Sequence, residues 1–250
     1  MTTRITAEQL NLDLPSVAAT GRDDFLEAPS NRLALAAVEN PAGLPAGLLV
    51  LSGPKGAGKT HLGQIWATRV DAAQVTPEAL AAALPGLLDG PRAVLIDDAE
   101  RVAGTEAEEA LFHLINHLRG SGQLLLCARG PVRDWGLTLP DLVSRLTAAA
   151  HVSVHEPDEA LLAAVMVKLF ADRQLRVQPP VIDYLISRIE RSLAAAGAVV
   201  AALDARALRL KRPVTRALAQ ELLADAPDSE PDPDVLLSGG LDIAGRGGAS

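Results

Sequence analysis

The fold is decided by one stretch of the chain, Gly53-Pro54-Lys55-Gly56-Ala57-Gly58-Lys59-Thr60. The apolar run before it, residues 47–52, predicts a buried strand, and residues 61–70 after it predict a helix. A strand, a glycine-rich turn and a helix in this order fit the pattern G-x-x-x-x-G-K-[ST] of a phosphate-binding loop. The glycines let the backbone amides turn toward a phosphate, and the helix N-terminus adds the positive end of its dipole. The stretch therefore predicts a nucleotide-binding site.

Individual side chains of this site have predictable roles. Lys59 is expected to reach the β- and γ-phosphates, and the Thr60 hydroxyl to ligate Mg²⁺. Lys55, inside the loop, is expected to face solvent. Asp97 follows the apolar run 93–96, so it is predicted at the carboxyl end of a strand, where ligands of open α/β sheets bind. There Asp97 would hold Mg²⁺ through its water shell, and Asp98 would polarise the attacking water.

The order of apolar patterns predicts the domain organisation. Strands alternate with helical patterns up to residue 155, which favours a mainly parallel sheet covered by helices on both faces. After Pro157, helical patterns at 159–173, 180–191, 193–209 and 215–224 follow one another without a strand between them. The prediction is an N-terminal segment, an α/β nucleotide-binding domain, a small all-helical lid domain and a disordered tail: residues 1–20, 21–155, 156–224 and 225–250.

Bulk composition excludes several classes of protein. The net charge of −8 argues against strong direct binding to DNA or to an anionic membrane, although a local basic patch is compatible with it. Cys127 is the only cysteine, which excludes an intramolecular disulfide and a cysteine-rich zinc site. No apolar run reaches the roughly 18 residues that span a bilayer. These features predict a cytoplasmic protein.

The motifs together resemble those of the AAA+ ATPases, and within them the DnaA/Hda family. The resemblance extends over about residues 1–210 and implies that the ligand is an adenine nucleotide, ADP or ATP, with Mg²⁺. It also implies that Asn31 lies in the segment around the adenine and that His61 belongs to the nucleotide site. The similar segments are the phosphate loop, the acidic strand end, the adenine segment, the helix before the third strand and the crossing into the lid: residues 58–62, 95–100, 24–34, 109–116 and 151–158.

One further segment resembles the part of the family that carries an arginine finger. In residues 141–146 the finger would be Arg145, acting on a nucleotide held by a neighbouring subunit. Its guanidinium would neutralise charge that develops on the γ-phosphate. The resemblance thus implies an AAA+ partner, either DnaA or a second copy of the chain in a homo-oligomer.

Two features point to the Hda branch of the family. Only about 25 Pro-, Asp- and Gly-rich residues follow the predicted lid, so no helix-turn-helix DNA-binding domain is expected. In residues 9–14, the side chains of Gln9, Leu10, Leu12 and Leu14 resemble the peptide that docks on the DNA polymerase III sliding clamp. A short N-terminal strand is the other interpretation of this segment. The resemblance implies a negative regulator of replication initiation that promotes hydrolysis of DnaA-bound ATP.

The chain also departs from the family pattern. Cys127 and Ala128 stand where a polar sensor residue is expected at the end of the third strand. In the lid, Leu or Ala stands where an arginine is expected, and Arg191, about one turn earlier, is the candidate that would contact the nucleotide in its place. Both departures predict slow ATP hydrolysis by the protein alone. The alternatives are a self-sufficient AAA+ ATPase or helicase loader, a P-loop kinase of small substrates, and an adaptor without nucleotide function.

Overall fold

The computed structural model describes residues 21–41 and 45–225. The predicted clamp peptide at residues 9–14 and the predicted tail beyond residue 225 lie outside the described residues. None of the described helices is long and apolar enough to cross a membrane.

A five-stranded parallel sheet forms the centre of the first part of the chain. Its strand order, β2-β3-β4-β1-β5, places β1 between two strands that come later in the chain. The predicted parallel α/β architecture is therefore confirmed. The strands are β1 Leu48–Ser52, β2 Ala73–Val75, β3 Ala93–Ile96, β4 Gln123–Ala128 and β5 Ala150–Ser153.

Helices cover both faces of this sheet because its central strands are apolar on both sides. Along β1, Leu48 and Val50 join one buried cluster, whereas Leu49 and Leu51 join another that contains the fully buried Trp66. The helices of this part are α1 Arg32–Glu39, α2 Lys59–Val70, α3 Leu80–Asp89, α4 Glu106–Leu118 and α5 Pro140–Thr147.

Four helices follow the sheet and enclose a third apolar cluster. Asp158 caps the first of them, since its Oδ1 accepts a hydrogen bond of 2.7 Å from the Leu161 amide. Leu162, Met166 and Leu203 are among the fully buried side chains of the cluster. The helices are α6 Glu159–Asp172, α7 Pro179–Ile186, α8 Leu193–Leu210 and α9 Arg216–Asp225.

The structure corrects the sequence prediction at several elements. β2 is a three-residue edge strand with an exposed Gln74, so it has no apolar run to reveal it. α7 ends at Ile186 rather than at residue 191, because Ser192 caps the next helix through a hydrogen bond of 3.0 Å from the Ala195 amide to its Oγ. The last strand, β5, begins at Ala150, two residues before the apolar residues Val152 and Val154 that predict a strand there.

A buried carboxylate ties α4 to the loop before α5. Glu108 is only 2% exposed, and it accepts hydrogen bonds from the amides of Gly104, Thr138 and Leu139 and from the Thr138 hydroxyl. Burial alone would raise the pKa of the Glu108 carboxyl, but these hydrogen bonds outweigh it and hold that pKa below its ordinary value.

Replacing Glu108 by glutamine is therefore expected to destabilise the fold by about 3 kcal/mol at neutral pH, since a neutral amide accepts fewer of these hydrogen bonds. A lowered folded-state pKa stabilises the fold above the unfolded-state value, about pH 4.3, and this contribution disappears as the pH falls through the folded-state pKa. Urea unfolding of both proteins from pH 7 to pH 3 measures the difference. The exposed Glu109→Gln serves as the control, and a pH-independent difference would contradict the assignment.

Candidate functional site

The loop after β1 presents free backbone amides at the carboxyl edge of the sheet. Gly56 and Gly58 have φ values of +74° and +101°, a left-handed conformation that side-chain-bearing residues rarely adopt. α2 begins directly at Lys59. In the described part of the chain, no protein acceptor meets the amides of Gly58, Lys59 or Thr60. Unpaired amides at a helix N-terminus are what an oxyanion of phosphate requires, so the loop fits the predicted ligand.

The Lys59 side chain folds back over this loop. It is 7% exposed, and its Nζ donates hydrogen bonds of 2.8 Å and 2.9 Å to the carbonyl oxygens of Gly53 and Pro54. Burial lowers the pKa of the Lys59 ammonium, and the nearby charge of Asp97 opposes that shift. Lys55, in contrast, is exposed, as the sequence predicts. Of the two lysines, only Lys59 is therefore buried within the loop.

Thr60 and Asp97 meet across the site. The Thr60 hydroxyl donates a hydrogen bond of 2.6 Å to Asp97 Oδ2, so the residues predicted to hold Mg²⁺ are in direct contact. A hydroxyl and a carboxylate are the hard oxygen ligands that Mg²⁺ takes, with the remaining positions left to phosphate oxygens and water. The described residues contain no cluster of three or more His, Cys, Asp or Glu side chains suited to a metal. An ion held here would thus depend on the nucleotide for its other ligands.

Asp98 lies beside a cation that the sequence analysis did not single out. Its φ is +49°, and its amide donates a hydrogen bond of 3.0 Å to Asp97 Oδ1. Arg129 follows β4, and its Nε lies 3.7 Å from Asp98 Oδ1 and 3.5 Å from Glu100 Oε1. The signal was available in the sequence, because parallel strands β3 and β4 bring the residues that follow them to the same edge.

The two residues at the expected sensor position are packed among buried apolar side chains. Cys127 and Ala128 are both fully buried in β4. Burial raises the pKa of the Cys127 thiol, so it stays neutral, and its Sγ lies 3.7 Å from the Lys59 carbonyl oxygen below the loop. Neither side chain therefore presents a polar group to the site.

The start of α8 rests directly on the phosphate loop. The Leu193 amide donates a hydrogen bond of 2.8 Å to the Gly56 carbonyl oxygen. A Cβ atom added at Gly56 would meet Ser192 Cβ at 2.6 Å and Ala194 Cβ at 3.3 Å. Arg191, the candidate substitute for the lid arginine, instead donates a hydrogen bond of 2.6 Å to Glu159 Oε1 and is largely exposed. The lid thus contacts the loop through small and apolar side chains.

Asn31 and His61 organise the segment predicted to lie around the adenine. Asn31 is 2% exposed, and its side chain bonds to the Ala28 amide and the Leu26 carbonyl oxygen, both at 2.9 Å. His61 Nε2 lies 3.0 Å from the Gly21 carbonyl oxygen, and its ring meets the edge of Phe25. These side chains shape the segment, and the hydrogen-bonding groups of Asn31 are already used within it.

Arg145 lies at the opposite edge of the sheet from the phosphate loop. It lines a cavity of about 420 Å³ together with Leu48, the first residue of β1, and Leu124, the second residue of β4. A five-residue strand is about 15 Å long, which separates this cavity from the loop that follows β1. The guanidinium lies 5.4 Å from the Phe112 ring centroid. No described carboxylate forms an ion pair with Arg145, so its charge is available to a partner.

Comparisons with known proteins agree with this geometry. A search against protein-family models finds no match. Among curated proteins, the chain is 27% identical to the chromosomal replication initiator protein DnaA of Bacteroides thetaiotaomicron and 31% identical to that of Herpetosiphon aurantiacus. These matches cover 80% and 82% of the chain, and 48% of each relative. The chain is a relative of the DnaA-family AAA+ proteins. It spans about half the length of the curated DnaA proteins that it matches.

Solved structures show the same fold. Domain III of Thermotoga maritima DnaA superposes with a TM-score of 0.74 at 20% identity, over 82% of this chain and 96% of that domain. AMPPCP-bound DnaA from Aquifex aeolicus matches with a TM-score of 0.62 at 21% identity, over 74% of this chain and 64% of that one. The predicted AAA+ fold is therefore confirmed.

Proposed function

We propose that the chain is a negative regulator of replication initiation that promotes hydrolysis of ATP bound to DnaA. In this role its own phosphate loop binds ADP or ATP with Mg²⁺, and Arg145 acts on the nucleotide of the partner. The N-terminal peptide at residues 9–14 binds the sliding clamp, so that the reaction follows clamp loading in the cytoplasm.

The observation that carries this proposal is the separation of Arg145 from the phosphate loop of its own chain. A guanidinium at the amino edge of the sheet cannot reach a γ-phosphate at the carboxyl edge of the same sheet. An arginine that has no carboxylate partner within residues 21–41 and 45–225, on a helix surface beside a cavity, suits a phosphate presented by a second subunit. Arg145 thus supports action in trans.

The surroundings of the phosphate loop support a structural role for the resident nucleotide. Cys127 and Ala128 offer no polar group to the γ-phosphate, and Arg191 is engaged with Glu159. Asp98, which would polarise water, lies 3.7 Å from the Arg129 guanidinium, which competes for its oxygens. The contact between Leu193 and Gly56 links the loop to the lid. Bound nucleotide would then set the position of the lid rather than be consumed rapidly.

Single-turnover hydrolysis of labelled ATP on DnaA tests the proposal. DnaA loaded with ATP is mixed with this protein, with and without the clamp on DNA, and phosphate release is followed. We expect release to accelerate only when protein and clamped DNA are both present. Rapid ATP turnover by the protein alone, with no effect on DnaA, would favour the self-sufficient ATPase or helicase loader.

The clamp peptide gives a prediction of its own. Replacing Leu12 and Leu14 by alanine is expected to weaken clamp binding about 100-fold, because two buried leucines each contribute on the order of 1.5 kcal/mol. Surface plasmon resonance on immobilised clamp measures the affinity. Alanine at the intervening Asn11 and Asp13 is the control and should change it little. Equal affinities of both double variants would remove the clamp from the proposal.

A further inference from the structure

The C-terminal end of α8 carries a basic and apolar surface, here called the α8 patch, residues 208–212. Leu208 and Leu210 are 72% and 40% exposed, two of the few large apolar side chains on the described surface. Arg209 and Lys211 have no carboxylate within ion-pair distance among the described residues, and only Arg212 has one, Glu221 at 3.6 Å. The last turn of α8 thus exposes apolar and basic side chains together, on a protein with a net charge of −8.

The chain leaves the described structure beside this patch. α9 lies along α8, since Glu221 Oε2 is 3.9 Å from Arg206 Nη2 and 3.6 Å from Arg212 Nη1. At its end, Asp225 Oδ2 accepts a hydrogen bond of 2.7 Å from Arg206 Nη2. Arg209 and Leu210 follow Arg206 by three and four positions, so they are its neighbours on the same helix face. Asp225, the last residue that the structure describes, therefore contacts α8 at Arg206, about one helical turn before Arg209 and Leu210.

The residues that follow Asp225 in the sequence carry negative charges and apolar side chains, the counterparts of those on the patch. Residues 226–237 read APDSEPDPDVLL, with four carboxylates at Asp228, Glu230, Asp232 and Asp234 and no lysine or arginine. An apolar run, residues 235–237, follows the acids. We propose that this acidic segment, residues 226–237, docks on the α8 patch, its carboxylates against Arg209 and Lys211 and its leucines against Leu208 and Leu210.

The length of residues 226–237 and their attachment to the same chain both favour this segment as the occupant of the α8 patch. Twelve residues span up to about 40 Å, whereas Arg206, which Asp225 contacts, lies only about one helical turn before Arg209. Attachment to the same chain gives the segment an effective concentration in the millimolar range, so weak ion pairs and a small apolar contact suffice. Docking would also keep other polyanions, such as DNA, away from the patch. The ion pairs would be weakened by salt, because the Debye length falls from about 10 Å at 0.1 M to about 3 Å at 1 M.

A spin label tests the contact in the full-length protein. Cys127 is fully buried, so Ser229→Cys introduces the one accessible thiol for a nitroxide. We expect strong paramagnetic broadening of the amide signals of residues 206–212 at low salt. A nitroxide at the exposed Ser121→Cys is the matched control and should leave these signals sharp. Equal broadening by both labels, or none from the label at 229, would overturn the proposal.

Charge neutralisation gives the second measurement, again in the full-length chain. A variant with Asp228→Asn, Glu230→Gln, Asp232→Asn and Asp234→Asn should lose at least half of that broadening. It should also bind a short DNA duplex, used as a polyanion probe, about tenfold more tightly at low salt, because the patch is uncovered. Unchanged broadening, or unchanged affinity for the duplex, would show that the acidic segment does not cover the patch.

Discussion

Phosphate release from DnaA-bound ATP is expected to fall about 1000-fold when Arg145 is replaced by alanine. An arginine finger contributes a factor of roughly 10³ to 10⁵ by neutralising charge on the transferred γ-phosphate, and we expect the lower end for a partner bound transiently. The side chain is half-buried near Phe112, so its loss should leave the fold intact. Single-turnover phosphate release and thermal unfolding of the same preparation measure both effects.

Two further variants test whether the loss of stimulation is specific to the guanidinium of Arg145. Arg145→Lys keeps a positive charge without the bidentate fork, so it should restore only a small part of the stimulation. Arg176→Ala removes an exposed arginine from the loop between α6 and α7, and it should stimulate DnaA as well as the wild type does. If Arg145→Ala also stimulates at the wild-type rate, the finger is another residue.

Loss of nucleotide binding is the second large effect, and it is expected for Lys59→Ala. The variant removes a buried ammonium that is hydrogen-bonded to two carbonyl oxygens of the loop, and with it the charge that would face the phosphates. Truncating a buried charged hydrogen-bonding group costs about 3 kcal/mol or more, which corresponds to an affinity loss of at least about 100-fold. Equilibrium binding of a fluorescent adenine nucleotide measures it.

Lys55→Ala is the matched control for this variant. It removes the same charge from the same loop, but at an exposed position. We expect its affinity to stay within about threefold of the wild type, since exposed charges interact weakly through water. Equal losses in both variants would mean that general charge, and not the position of Lys59, attracts the nucleotide.

The sequence predicts the sheet well where the strands are central and apolar on both faces. β1, β3 and β4 are read from uninterrupted runs such as residues 93–96, because both of their faces are buried. β2 is missed because a three-residue edge strand with an exposed Gln74 between two half-buried residues leaves no such run. α3 is also missed, since Pro85 and Gly86 within it interrupt the helical signal although Leu80 and Leu87 are buried.

In the nucleotide site, too, some contacts are predictable from the sequence and others are not. The contact between Thr60 and Asp97 is predictable, because a phosphate loop and an acidic strand end meet at the same edge of a parallel sheet. The pairing of Arg191 with Glu159 is not, since it depends on how the lid helices pack. The nearness of Arg129 to Asp98 and Glu100 is predictable, since β3 and β4 are parallel neighbours that end at the same edge, although the sequence prediction does not include it.

The central claim is that the hydrolysis promoted by this protein takes place on the partner. The most direct test loads this protein with the non-hydrolysable analogue AMPPCP and DnaA with ATP labelled on the γ-phosphate, and adds clamped DNA. We expect labelled phosphate to be released as fast as when this protein holds ATP. Release that stops with the analogue, and returns only when this protein's own site holds hydrolysable ATP, would contradict the account.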